Sequence, residues 1–222
     1  MCHYTKRMNY FLSSFLFLLF FSGIAQEEPR FQEEVKAIQK KYDTLLDTAK
    51  ETIVFTGSSS VRMWHDLQNR FPEYQIVNSG FGGSQTSDLM YYIYDLILRY
   101  EPKKVFIYEG DNDISAEKKP RDIIDTTERI IYGIRKNYPD TEIILISAKP
   151  SLARWNLRRK YRRLNRKFAR LAQKDTLLEF ADVWKPMLDG RKLKQDIFIK
   201  DGLHMNTKGY EIWFNVMRAH LK

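Results

Sequence analysis

Three consecutive serines, Ser58, Ser59 and Ser60, stand directly behind the apolar run Ile53-Val54-Phe55 and Gly57. Serine is favoured where a helix begins, because its hydroxyl can accept an orphan backbone N–H bond there. It is also a nucleophile once a base removes its proton. The chain holds four histidines that could be that base. His3 lies in the N-terminal segment, His220 two residues from the C-terminus, and His65 six residues beyond Ser59. His204 remains, in "IKDGLHMNTKGY", with Asp201 three residues before it across Gly202. That spacing lets a carboxylate fold back onto the imidazole, fix one ring nitrogen as N–H and leave the other to take a serine proton. Taken alone, D-x-x-H describes a surface turn equally well.

Two further stretches could supply donors to a developing oxyanion. "VNSGFGGSQTS" is a turn with three glycines, whose N–H groups can come close to a ligand, and "YEGDND" offers Asn112 just after Gly110. Nucleotide readings of the glycines fail. Gln85 stands where a third glycine of the dinucleotide fingerprint would be, and no Gly-Lys-Ser or Gly-Lys-Thr exists for a phosphate loop. Val61 likewise takes the place of the last glycine in a G-x-S-x-G elbow. No cluster of His, Cys and carboxylates has metal-ligand spacing.

These residues need a frame that brings them together. The runs "TIVFTG", "YQIVNSG", "KKVFIYEG", "EIILISA" and "TLLEFAD" have strand length and are rich in β-branched residues. Helical patterns alternate with them: "FQEEVKAIQKKYDTLL", "VRMWHDLQNRF", "TSDLMYYIYDLILRY", "TTERIIYGIRKNYP", a basic helix and "NTKGYEIWFNVMRAHL", capped near Asn206 or Thr207. Such alternation predicts an α/β domain, a five-stranded, mainly parallel sheet with helices on both faces, and ligands at the strand C-termini.

The basic helix is "RWNLRRKYRRLNRKFAR", residues 154–170, with nine Arg or Lys and no acid. Leu157, Tyr161, Leu164 and Phe168 recur at helical spacing, so its outer face is strongly cationic. Arg158, Arg159, Arg162, Arg163 and Arg166 could contact an anionic surface, glycan or membrane, or simply be solvated. At the N-terminus, Lys6 and Arg7 precede the apolar run "YFLSSFLFLLFFSGIA". Residues 1–25 therefore read as a secretory signal cleaved near Ala25, with an uncleaved anchor as the alternative, leaving residues 26–222 as one domain. Removing Lys6 and Arg7 leaves 35 basic and 28 acidic residues, a net +7. The single cysteine, Cys2, lies before the apolar run, so the exported domain would contain none and needs no disulfide. Export also argues against nucleic acid as a partner.

Taken in order, "GSSS", "GFGGS", "GDND" and "DGLH" resemble the four blocks of the SGNH hydrolases, the GDSL-type esterase/lipase family, in the flavour of its platelet-activating-factor acetylhydrolase subunits. The resemblance runs from Ile53 to His204. It implies a flavodoxin-like three-layer α/β/α fold and ester hydrolysis without a metal or organic cofactor. Carried over by position, it implies Ser59 as nucleophile and Asp201 and His204 as its acid and base. The Ser59 and Gly83 N–H groups and the Asn112 amide would form the oxyanion hole. Ser58 stands where the family usually has Asp, which is not one of the four SGNH residues. The expected activity is that of an exported esterase acting on short acyl esters, acetylated carbohydrate above all. A lysophospholipase or thioesterase of the same family is the alternative, and a non-catalytic module that binds anions through the basic helix is the competing class.

Overall fold

The structure, a computed structural model, describes Met1 and residues 29–221. Apart from Met1, the segment read as a signal lies outside the described residues. In chain order the elements are α1 (Gln32–Asp43), β1 (Thr52–Gly57), α2 (Ser59–Arg62), α3 (Leu67–Arg70), β2 (Gln75–Gly80), α4 (Thr86–Tyr91), α5 (Ile93–Leu96) and β3 (Lys104–Tyr108). There follow α6 (Asp111–Ser115), α7 (Pro120–Asn137), β4 (Glu142–Ile146), α8 (Arg158–Ala172), β5 (Leu178–Ala181), the hairpin β6 (Leu188–Asp189) and β7 (Lys192–Leu193), and α9 (Thr207–Met217).

The five main strands pair in parallel in the order β2-β1-β3-β4-β5. Alternate side chains leave opposite faces of a strand, and here each face meets its own helical layer. Val54, Val77, Val105, Ile107, Ile143 and Leu145 pack with residues of α1, α4, α5, α7 and α8. Ile53, Phe55, Phe106, Ile144 and Ile146 pack with α2, α3 and α9, through Val61, Trp64, Leu67, Tyr210 and Trp213. The β1 and β3 strands are buried throughout, which is why they read as continuous apolar runs rather than alternating ones. The parallel pairing and both helical layers match the α/β expectation.

Two expected helices are broken. Residues 61–71 form not one helix but α2 and α3, because Trp64 leaves the helical path to lie 1% exposed among Phe55, Phe71, Tyr210 and Trp213. Residues 86–100 break after Tyr91 and again at Ile97. Leu96, Ile97 and Leu98 are all buried; three consecutive residues of a straight helix fan around more of its surface than one buried face can cover. The β6–β7 hairpin and α6 are too short to carry a periodic signal. At the other end, Asn206 is the N-cap of α9, its side chain accepting from the Lys208 and Gly209 N–H groups.

The register decides where chemistry can happen. Gly57 is level with Gly80 of β2 and with Tyr108 of β3. The loops that follow all three strands therefore open at one edge: Ser58 and Ser59, Phe81 to Gly83, and Glu109 to Asn112. Gly57 sits at φ +120°, and a Cβ there would lie 2.0 Å from the Tyr108 carbonyl oxygen. Only glycine fits. Gly57→Ala should therefore cost about 3 kcal/mol or more, combining backbone strain of ~1–3 kcal/mol with overpacking of ~1–3 kcal/mol. Urea unfolding of the two proteins checks this; a loss under 1 kcal/mol would mean that the β1–β3 edge yields.

Candidate active site

The turn out of β1 separates the three serines. Ser58 is the N-cap residue of α2, 2% exposed, with its hydroxyl turned to Asn112. Ser60 is also 2% exposed and its carbonyl accepts the Tyr210 hydroxyl. Ser59, at the first position of α2, is the one that reaches a histidine: its Oγ lies 2.9 Å from His204 Nε2. On the far side of the ring, His204 Nδ1 is 2.6 Å from Asp201 Oδ2. The helix behind Ser59 is only four residues long, so little macrodipole acts there, and the hydroxyl's side-chain partner is the histidine. His65 is exposed in the connection between α2 and α3 and makes no contact with Ser59 among the described residues.

Asp201 is built as an acceptor. Its Oδ1 takes the backbone N–H groups of Leu203 and His204, at 2.8 and 2.9 Å, while Oδ2 takes the ring. Desolvation pushes its pKa up, but the bonds from His204 and Leu203 outweigh it and hold the carboxyl at about 2. An ionised carboxylate only accepts, so Nδ1 carries the proton and Nε2 is left to accept from Ser59.

Asn112, the second residue of α6, presents its amide beside the serines. Its Nδ2 donates to Ser58 Oγ and to the Ser84 carbonyl, both at 2.8 Å. Gly83 adopts φ +72°, with its carbonyl turned outward to Arg30 at 3.1 Å. The Ser59 and Gly83 N–H groups have no acceptor among the described residues. The arrangement supplies a hydroxyl with an oriented base and, around it, donors that a negative oxygen could use.

Behind Asn112 lies a cluster that the sequence reading missed. Arg154 Nη1 donates to Asn112 Oδ1 at 3.0 Å and to Asp111 Oδ1 at 2.6 Å. Asp111 also accepts from Tyr161 at 2.5 Å and Tyr108 at 2.9 Å, and faces the buried ammonium of Lys149 at 3.9 Å. Desolvation alone would raise the Asp111 pKa; Lys149, Arg154 and the Tyr161 bond outweigh it and keep the carboxyl below its ordinary value. Lys149 donates to the carbonyl of Leu203, inside the Asp201–His204 turn. Glu109 is different: burial, then the Asp113 charge, push its pKa well up, against the hydrogen bond that Ser84 donates to it at 2.6 Å. Arg154 was hidden in the basic run. The signal that could have found it is "EGDND", three carboxylates at one strand end, which cannot be buried without counter-charges.

The sequence matches the model of the GDSL-like lipase/acylhydrolase family over residues 30–212. The chain belongs to that family and is a hydrolase of the ester-cleaving class. Comparison with curated proteins finds no match. Among solved structures, a Streptococcus pneumoniae protein described as a candidate platelet activating factor shares 28% identity at a TM-score of 0.75, covering 86% of this chain and 94% of its own. A candidate acylhydrolase from Bacteroides fragilis shares 20% identity at TM-score 0.69, with 86% and 94% covered. A catalytic mutant of the acetylxylan esterase Axe2 from Geobacillus stearothermophilus shares 17% at TM-score 0.65, with 77% and 94% covered.

Because Arg154 holds the Asn112 carbonyl end, it decides which end of the amide faces Ser59. Arg154→Met should lower kcat by about tenfold or more, approaching the ~10²-fold of a lost oxyanion donor, with KM changed less than threefold. It should also destabilise by roughly 1–3 kcal/mol by leaving Asp111 short of a partner. Adding Asp111→Asn should recover stability without recovering kcat. Recovery of both would reduce Arg154 to a structural ion-pair partner.

Proposed function

We propose that the protein is an exported serine esterase that removes short acyl groups, acetyl above all, from carbohydrate. The observation that carries the catalytic reading is the unbroken chain Ser59 Oγ–His204–Asp201, at 2.9 and 2.6 Å. His204 takes the Ser59 proton as Oγ attacks the ester carbonyl, and Asp201 stabilises the imidazolium. The Ser59 and Gly83 N–H groups and the Asn112 amide receive the oxyanion, with the alcohol leaving on the proton from His204. Water, deprotonated by the same ring, then releases the acid. Several features support a small acyl group and a sugar alcohol. The loops that carry Ser59 and Asn112 are short, with one residue between β1 and α2 and two between β3 and α6, leaving little chain there to house a fatty tail. The neighbours of similar fold include an acetyl esterase with an acetate ion and an acetylxylan esterase. The cationic-then-apolar segment of residues 1–25 supports export, where polymeric sugars are met.

Hydrolysis of p-nitrophenyl esters from acetyl to octanoyl, followed by acetate release from acetylated xylo-oligosaccharides and fatty-acid release from lysophospholipids, tests the reading. Acetyl should be preferred and Ser59→Ala should lose about 10³-fold or more in kcat. Retained activity in Ser59→Ala, with loss in Ser58→Ala or Ser60→Ala, would move the nucleophile; preference for octanoyl or lysophospholipid would overturn the acetyl-carbohydrate assignment.

A pH profile tests the acid. With Asp201 held at about 2, the carboxylate is ionised throughout an ordinary assay range. Its hydrogen bonds contribute stability above the unfolded value near ~4, and that contribution is lost as pH falls through about 2. kcat/KM should therefore rise with pH through one inflection, as the imidazole loses its proton, with no second inflection from Asp201 above pH ~4. Asp201→Asn should cut maximal kcat by about 10²- to 10⁴-fold, since the amide can hold the ring in the wrong tautomer. An unchanged profile and maximum would make Asp201–His204 an ordinary turn.

A further inference from the structure

The cations of residues 154–170 do not share one environment. Tyr161, Leu164 and Phe168 are buried against the sheet, so α8 keeps no apolar stripe with which to enter a bilayer. Arg159, Arg163 and Arg166 project into solvent. Arg158 and Arg162, one helical turn apart, line a groove of about 570 Å³. Trp184 and Lys185, in the loop after β5, and Arg191, in the β6–β7 hairpin, line it from the other side. Inside it the indoles of Trp155 and Trp184 stack at 6.2 Å and 14°, and Arg158 lies 5.5 Å over Trp155.

Two features mark this as more than a solvated charge run. Arg158, Arg162, Lys185 and Arg191 face one groove, yet none has a carboxylate partner among the described residues. Asp182, close by in sequence, is turned to the Trp184 and Lys185 N–H groups instead. Converging cations without counter-charge repel one another, and an anion relieves that repulsion. The indole N–H groups of Trp155 and Trp184 are likewise without a partner among the described residues. A pyranose ring has an apolar C–H face and a rim of hydroxyls, which suits an indole face with a free N–H at its edge. A carboxylate on that ring suits the forked guanidinium.

Position connects the groove to the ester site. Trp155 follows Arg154, which holds Asn112. The N–H of Ala153 bonds the Gly202 carbonyl, in the turn that carries His204. The segment that lines the groove is thus bonded to the segments that carry Asn112 and His204, and an occupant next to an ester-cleaving centre is one that bears esters.

From this we propose that the Trp155–Trp184 groove binds uronate residues of an acidic polysaccharide, seating the polymer while a neighbouring acylated sugar reaches Ser59. The choice of a sugar ligand rests on the carbohydrate-ester reading above. The groove itself is tested without catalysis. Full-length Ser59→Ala protein is titrated with unesterified oligogalacturonate and with neutral xylo-oligosaccharide, following tryptophan fluorescence and heat. Oligogalacturonate should quench the fluorescence and bind at least about tenfold more tightly than the neutral sugar. Arg162→Gln with Arg191→Gln should weaken that binding about tenfold or more. Arg170→Gln with Lys174→Gln, the same charge change at the exposed far end of α8 and beyond it, should alter it less than about twofold. Thermal melts identify any variant that has lost its fold, and Arg158→Gln with Lys185→Gln then serves as the alternative pair.

Equal binding of the neutral sugar would overturn the proposal, as would equal loss in the control pair. So would Arg162- and Arg191-dependent binding that is tighter for single-stranded DNA or phosphatidylglycerol vesicles than for oligogalacturonate. Groove-dependent uronate binding in a protein that releases no acetate from any carbohydrate would support the groove and count against the carbohydrate-ester reading. Acetate release from neutral sugars without uronate binding would count against the groove alone.

Discussion

The Asp111 carboxylate is the constraint on which the site's arrangement depends. An ionised carboxylate taken out of water is unstable unless its lone pairs are filled and its charge is matched. Asp111 meets that demand with groups from three regions of the chain: Tyr108 at the end of β3, Lys149 just after β4, and Arg154 and Tyr161 before and within α8. Replacing such a cluster with apolar residues is often neutral or stabilising in proteins. Its value here is geometric. Arg154 extends it to Asn112, and Lys149 extends it to the Leu203 carbonyl beside His204. Asn112 and His204 thus hang from one buried charge, although β3 and the His204 turn lie some hundred residues apart in the chain.

The segment Ser147 to Trp155 carries these links and is itself held closely. The Ser147 hydroxyl takes the N–H groups of Val183 and Trp184, and Asn165 of α8 brackets Ala148 through both its backbone groups. Ala153 bonds Gly202. Trp184 therefore stands on the same hydrogen-bonded scaffold as Arg154. A ligand that ordered the Trp155–Trp184 groove would press on the residue that orients Asn112, without any separate relay between them.

The architecture was largely legible in the sequence because β1, β3 and β4 are buried on both faces and read as unbroken apolar runs. The positions of the helix breaks were not. The pattern around Trp64 fits a helix until the aromatic core claims the indole, and the run Leu96-Ile97-Leu98 carries no mark of where its helix must turn. At the site, "DGLH" holds its own geometry, since Asp201 and His204 are joined through a local turn. Three adjacent serines are equivalent as letters; the different partners of Ser58, Ser59 and Ser60 appear only once β3 and the His204 turn are brought alongside. Arg154 and Lys149 were illegible for a related reason. Their roles come from a carboxylate some forty residues away, and Arg154, at the start of a basic run, reads as surface.

Electrostatics gives the cluster a further consequence. Asp111 adjoins Asn112, so a lone carboxylate there would oppose the negative charge that an ester carbonyl develops under attack. Lys149 and Arg154 together offset that charge behind the amide. Burial and the Asp113 charge disfavour a further negative charge on Glu109, under Ser84. Arg154 does more than neutralise. By donating to Asn112 Oδ1 it draws electron density toward that end of the amide and makes the Nδ2 hydrogens better donors. In the free protein those hydrogens rest on Ser58 and Ser84. Where a neighbouring carboxylate would compete for the amide as an ion, the Ser58 hydroxyl is a neutral acceptor. It yields Nδ2 more readily to an oxyanion, so serine at this position favours the exchange that the proposed oxyanion role of Asn112 requires.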